Sequence, residues 1–197
     1  MPLGRLVALC ILLLSLVSCA GVGIVATSDP DVKLQDATVL FDRYNRPLPA
    51  EMLIREAIAI YEERGDRKGL GRAYETYGLL LVSASVQRWE HVYRRDGFRD
   101  KSLKFDDRYA KAVEYFERAE PLLREAEQFD LLTGLYYNKA YALNGATRHA
   151  EACDSFARSL EAYQENMRRN PAAKPNTAGI ASVPDAIEDG KRRLGCS

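Results

Sequence analysis

Three segments of this chain carry a small residue, a large apolar residue four positions later and a second small residue three after that: Ala50/Ile54/Ala57, Ala112/Phe116/Ala119 and Ala152/Phe156/Ser159. Offsets of three and four put all three side chains on one face of an α-helix. Each such face lets a second helix approach closely at the small residues while the large side chain fills the neighbouring groove. The partner helices recur at a fixed distance. Gly78, flanked by Tyr74, Tyr77 and Leu81, lies 24 residues after Ile54, and Ala140, flanked by Tyr136 and Leu143, lies the same 24 after Phe116. Twelve residues before Ala50 stands Thr38, within Leu34, Ala37 and Phe41, a weaker copy of the same helix. Longer stripes such as Tyr109, Val113, Phe116 and Leu123, or Phe156, Leu160, Tyr163 and Met167, keep helical spacing, and no sustained strand alternation interrupts them. The pattern predicts an all-α fold of paired helices.

Punctuation fits that reading. Asp29-Pro30, Pro49, Asp106 and Thr147 are expected to open helices, and Gly65-Asp66 and Asn144-Gly145 to make turns. Pro121, inside the stripe that begins at Tyr109, should kink or interrupt its helix. The spacing fails once. The helix that pairs with Gly78 is due at position 90 but begins with Ala112, an insertion of 22 residues within about 83–105. Beyond Asn170-Pro171, a segment containing Pro175 leads to a last short helix starting at Pro184. Asp185 and Glu188 sit at its positive end, and Lys191, Arg192 and Arg193 precede Gly195 at the other.

Helix pairs with small residues at the crossings resemble tetratricopeptide repeats, in their longer variety of about 40 residues. The phrase Ala57-Ile58-Ala59-Ile60-Tyr61-Glu62-Glu63-Arg64-Gly65-Asp66 looks like the second helix and turn of that family. The resemblance covers residues 31–168 and implies a short α-solenoid of about three helix pairs, with 169–197 as linker and C-terminal capping helix. It also implies a groove lined by the first helices, receiving a protein or peptide partner. The residues pointing away from the packing stripes there are Arg72, Glu75, Leu79 and Val82 on one helix and Tyr137, Tyr141 and Asn144 on another. Exposed tyrosines would receive a peptide or helix. The alternative is a shallow groove, partly covered by the N-terminal arm or the capping helix.

The front end speaks to compartment. Arg5 precedes an apolar run, Leu6 to Val17, whose only polar side chain is Ser15, the pattern of an export signal. Leu16-Val17-Ser18-Cys19 then resembles the lipobox of bacterial lipoproteins. That resemblance implies a signal peptide over 1–18, cleavage before Cys19, acylation of Cys19 and a lipidated tether over 19–30. Buried methylenes contribute about 0.8 kcal/mol each, so three acyl chains would hold the protein in a bilayer. Ala20 is not the aspartate that retains Gram-negative lipoproteins in the inner membrane, which implies the periplasmic face of the outer membrane. A transmembrane helix over Leu6 to Ala26 is the alternative, although Gly21 and Gly23 interrupt it. With Cys10 removed and Cys19 acylated, Cys153 and Cys196 remain as an even pair in an oxidising compartment; they are expected to form a disulfide, or else to lie as two separately buried thiols.

Chemistry is sparse. His91 and His149 are far apart, and no metalloprotease helix, phosphate loop, nucleophile elbow or paired CxxC is present, so no catalytic residue, metal ligand or cofactor is expected. Lys and Arg together number 28, as do Asp and Glu, a balance that argues against a nucleic-acid binder. The insertion is the most distinctive segment, a basic and aromatic patch of Arg88, Trp89, Tyr93, Arg94, Arg95, Phe98 and Arg99. Arginines among aromatics are what binding hot spots use. Two readings stay open, a docking surface for an anionic or glycan ligand and a helical extension whose aromatics pack on their own repeat. The function expected is a lipid-anchored periplasmic adaptor or scaffold that binds a protein partner in envelope assembly or secretion. The alternative is an envelope lipoprotein that binds glycan or anions through the insertion.

Overall fold

The computed structural model describes residues 27–172 and 182–196. The export signal, Cys19 and the start of the tether lie outside the described residues, as does the segment containing Pro175. Asp29 accepts a hydrogen bond from the Asp31 N–H at 2.9 Å, and Pro30 supplies the pre-set first turn of α1 (Pro30–Asp42). Pro47, rather than Pro49, starts α2 (Pro47–Arg64), which ends at Gly65 with φ 63°. Asp66 then caps α3 (Arg67–Val82) by accepting from the Gly69 N–H at 2.8 Å. The insertion follows as α4 (Ala84–Arg88), α5 (Glu90–Asp96), a loop and a single 3₁₀ turn, Phe105–Asp107. The long helices α6 (Arg108–Glu125), α7 (Phe129–Gly145) and α8 (His149–Arg169) come next, and α9 (Val183–Leu194) completes the described chain. Among the described residues there is no strand.

The most extensive packing joins α1 to α2, α3 to α6 and α7 to α8, and the pairs are stacked through α2 on α3 and α6 on α7. This is an all-α helical-repeat fold of three pairs, with the insertion set between the two helices of the middle pair. The small-large-small triads lie at its centre. Ala50, Ile54, Ala57, Ala112, Phe116, Ala119, Ala152, Phe156 and Ser159 are all fully buried. Close approach follows from what is missing: a Cβ on Gly78 would stand 2.7 Å from the Phe116 ring, and one on Gly71 3.0 Å from Leu122. Only glycine lets α3 lie this near α6. Tyr77 and Tyr115 meet edge to face at 4.5 Å along the same seam.

Several local expectations give way. Asn144 and Gly145 belong to α7, and the turn falls two residues later at Ala146-Thr147, where Thr147 has φ 61°. Asp106 caps nothing; it lies in the 3₁₀ turn, and its carboxylate receives Arg94 at 2.6 Å. Pro121 does not break α6. Pro121 and Glu117, the residue four before it, are both exposed, so water meets the carbonyl that Pro121 cannot serve.

At the far end, Ser182 caps α9 by accepting from the Asp185 N–H at 3.1 Å, and Ile187 and Gly190 are buried against α8. The Cys153–Cys196 disulfide ties this helix to α8, its two ends 43 positions apart in the chain. The alternative of two separate thiols is thereby removed. No helix of the described residues is long and apolar enough to cross a membrane.

Candidate functional site

First helices of successive pairs are neighbours, since α3 touches both α1 and α7. Arg72, Glu75 and Leu79 share one stripe of α3, three and four residues apart, on this side of the molecule. Arg72 pairs with Asp31 of α1, and the Tyr61 hydroxyl donates to the same carboxylate at 2.8 Å. Those two contacts, the phenol first, hold Asp31 below the ordinary carboxylate range. The cation of the stripe is therefore already engaged.

Glu75 is different. It is only 8% exposed and no hydrogen bond joins it to another described residue, although its oxygens are not among the sealed and unpartnered atoms of the described residues, which are Glu51 Oε2, Ser85 Oγ and the Tyr93 hydroxyl. Across the interface on α7, its Oε1 lies 3.8 Å from where a Cβ on Gly134 would be, and Asp130 stands close enough to act on its charge. Burial first, and then the Asp130 carboxylate, push the Glu75 carboxyl up to about 8, against a weaker opposing pull from Arg72. An acid in this state carries a proton over much of the neutral range.

The tyrosine end is closed. Tyr137 and Tyr141 are half-buried, their hydroxyl oxygens 3.3 Å apart and their rings edge to face at 5.2 Å. Both rings also meet Phe156 of α8, at 5.6 and 5.5 Å. A Cβ on Gly190 of α9 would come within 2.6 Å of Phe156 and 3.2 Å of the Tyr141 hydroxyl. The capping helix thus roofs this end, and burial with the Tyr137 contact raises Tyr141 to about 12. Tyr137 and Tyr141 are half-buried packing residues, which favours the alternative of a groove partly covered by the capping helix over exposed receptors. Val82, in the last turn of α3, and Asn144, in the last turn of α7, are half-buried and do not extend the Glu75 cluster.

The insertion turns its aromatics inward. Tyr93 and Phe98 are buried and stacked at 4.1 Å, and Trp89 is half-buried against the core. Glu51 of α2, fully buried, anchors the segment by accepting from the Arg99 N–H at 2.7 Å and the Tyr77 hydroxyl at 2.8 Å. Desolvation nonetheless leaves Glu51 above its ordinary value, and its Oε2 and the Tyr93 hydroxyl have no hydrogen-bond partner. Outside, Arg94 bridges Glu90 and Asp106, Arg95 pairs with Asp96, and Arg88 donates to Asn45 at 2.8 Å. What faces solvent is a set of arginines, most of them held by acids or amides of the same surface.

A cavity of about 400 Å³ opens where α6, α7 and α8 meet. Phe129, Leu132 and Tyr136 line it, with Arg124 and Arg158 converging on the Tyr136 hydroxyl at 2.5 and 2.7 Å. Glu120 receives both guanidiniums, so the arginines are charge-compensated.

Sequence reasoning placed Arg72, Glu75 and Leu79 on one face but missed Asp130 and Gly134, which sit opposite them. A glycine in the middle of α7 was the available signal. No family model, curated protein or solved structure matches the chain.

Proposed function

We propose that the protein is a lipid-anchored adaptor of the bacterial envelope, held at the periplasmic face of the outer membrane by acyl chains on Cys19. On this reading its first-helix face receives a segment of a protein partner in envelope assembly or secretion. The supporting observation is the stripe Arg72, Glu75 and Leu79. α9 packs on α8 at one end of the stack, and the insertion closes over the α1–α2 turn and the start of α2 through Asn45 and Glu51. Away from those two contacts lies a stripe with a nearly buried acid that makes no hydrogen bond among the described residues and a half-buried leucine at the edge of the core. Helical-repeat proteins bind through such extended faces.

The test is in-cell cross-linking from a photoreactive residue at Leu79, with a second probe at Arg95 and mass spectrometry of the products. A discrete protein trapped from Leu79 is the expected result. Trapping from Arg95 alone, or of glycan alone, moves the function to the insertion. Intact mass of the membrane-extracted protein checks the anchor: an uncleaved Met1 or an unacylated Cys19 refutes it.

A further inference from the structure

Six glycines lie within helices among the described residues, and five of them have a packing reason. A Cβ would come within 2.1 Å of Tyr61 at Gly69, 3.0 Å of Leu122 at Gly71, 2.7 Å of Phe116 at Gly78, 2.6 Å of Tyr109 at Gly145 and 2.6 Å of Phe156 at Gly190. Gly134 has none. The only atom that its Cβ would meet within 4 Å is Glu75 Oε1, at 3.8 Å, an ordinary contact. A helix interior penalises glycine, so packing and propensity both favour a side chain at this position. What its absence does is keep a space open over the Glu75 carboxyl.

The carboxyl below that space is itself unaccounted for. A buried acid is ordinarily hydrogen-bonded or paired, because leaving it without a partner costs stability. Glu75 has no hydrogen bond, its neighbour on α7 is the like-charged Asp130, and the nearest opposing charge, Arg72, is already paired with Asp31. A neutral ligand group could take one hydrogen bond from the protonated acid, but only a cation would also offset the repulsion that ionising Glu75 beside Asp130 incurs.

We propose that Glu75 and Asp130, with the space left at Gly134, form a receptor for one lysine or arginine side chain of the bound segment, an apolar neighbour of which packs on Leu79. The inference rests on the adaptor reading and specifies the partner: a segment carrying a cation beside an apolar residue. Binding would draw Glu75 into its ionised form and release a proton near neutrality. The charged groups that face Glu75 are Asp130 on α7 and Arg72 on its own helix, the latter paired with Asp31 of α1.

The probe is n-butylammonium, the lysine side chain alone, with n-butanol as its neutral counterpart and sodium chloride at matched ionic strength. Carboxyl-detected and amide NMR of the protein follow Glu75 and Gly134. Expected is a saturable shift at both residues with n-butylammonium only, half-complete in the low millimolar range. The Glu75 titration midpoint should fall from about 8 by at least about one pH unit at saturation. Glu75→Gln should weaken the response at Gly134 by about tenfold or more. Gly134→Leu fills the space and should abolish binding while Glu75 keeps its high midpoint. The proposal is overturned if n-butylammonium shifts these residues no more than sodium chloride does, or if n-butanol reproduces the effect. Failure here is separable from failure of the adaptor: a protein trapped from Leu79 beside a Glu75 indifferent to n-butylammonium keeps the adaptor and removes the cation receptor.

Discussion

Replacing Glu75 by glutamine should make the protein more stable at alkaline pH and leave it nearly unchanged in acid. In the folded state the carboxyl titrates near 8, against an ordinary value of 4.5. Below about pH 4.5 both folded and unfolded chains hold the proton, and no linkage arises. Between the two values the unfolded chain has released its proton while the folded chain keeps it, so wild-type stability falls as pH rises and levels off only above about 8. A gap of about 3.5 pH units at about 1.4 kcal/mol each sets a ceiling of about 5 kcal/mol, of which relaxation around the charge should leave about half. Glutamine has the shape of the protonated acid and cannot ionise, so the variant escapes this loss. Urea denaturation followed by far-ultraviolet circular dichroism, on both proteins from about pH 4 to about pH 9 with the disulfide intact, gives the difference. Other groups, Glu51 included, titrate in both proteins and cancel. The difference should open toward alkaline pH, with its midpoint lowered by Asp130→Asn, which removes the neighbouring negative charge. A difference that stays flat, or opens toward acid, refutes the account of Glu75 as a buried acid without a partner.

Two glycines of the same stack should respond in opposite directions. Gly78→Ala drives a methyl into the Phe116 ring and should cost about 1–3 kcal/mol, whereas Gly134→Ala meets only an ordinary contact and should gain up to about 1 kcal/mol, both read from thermal unfolding. Removing the disulfide with Cys153→Ser and Cys196→Ser opens a loop of 43 residues and should cost up to about 4 kcal/mol. Hydrogen exchange should then show α9 losing protection before α3 and α6. Tyr77→Phe deletes the hydroxyl that donates to Glu51 and should cost about 1–3 kcal/mol by denaturant titration. Because that bond favours the ionised acid, the loss should be larger above neutrality than in acid; the reverse order would show that Glu51 is held protonated for another reason.

The repeat was legible because it is written in residue size. Ala112, Phe116 and Ala119, and their counterparts in α2 and α8, announce a helix crossing in any context, and each is fully buried. The disulfide followed from counting cysteines by compartment. Helix starts were harder: Pro47 and Pro49 are equally good first-turn residues, and only the packing of Pro47, buried at the start of α2, chose between them. The tyrosines of α7 stayed between two readings, exposed receptors and a groove partly covered by the capping helix, for a tertiary reason. Their stripe does point away from α6, but α9, reached through a segment with no sequence signal for its path, returns to cover Tyr141 by means of Gly190. Glu75 was assigned to the right face, while its burial depended on α7 and on Gly134, far along the chain. Periodicity reports which way a side chain points from its own helix; it is silent on what the neighbouring helix brings or leaves out.

That distinction separates the two unusual acids of this fold. Glu51 and Glu75 are both buried and both raised by desolvation, yet Glu51 receives a phenol and a backbone N–H, and through Arg99 it fixes the insertion against α2. Its burial is accounted for by the segment it holds. Glu75 holds nothing within the described residues, faces the one helical glycine there without a packing partner, and stands beside Asp130. If stability alone had shaped this position, glutamine or leucine at 75 and alanine at 134 would serve better by the same arguments that explain the rest of the core. A costly acid beneath a costly glycine is the arrangement expected where the missing partner is a group from another molecule.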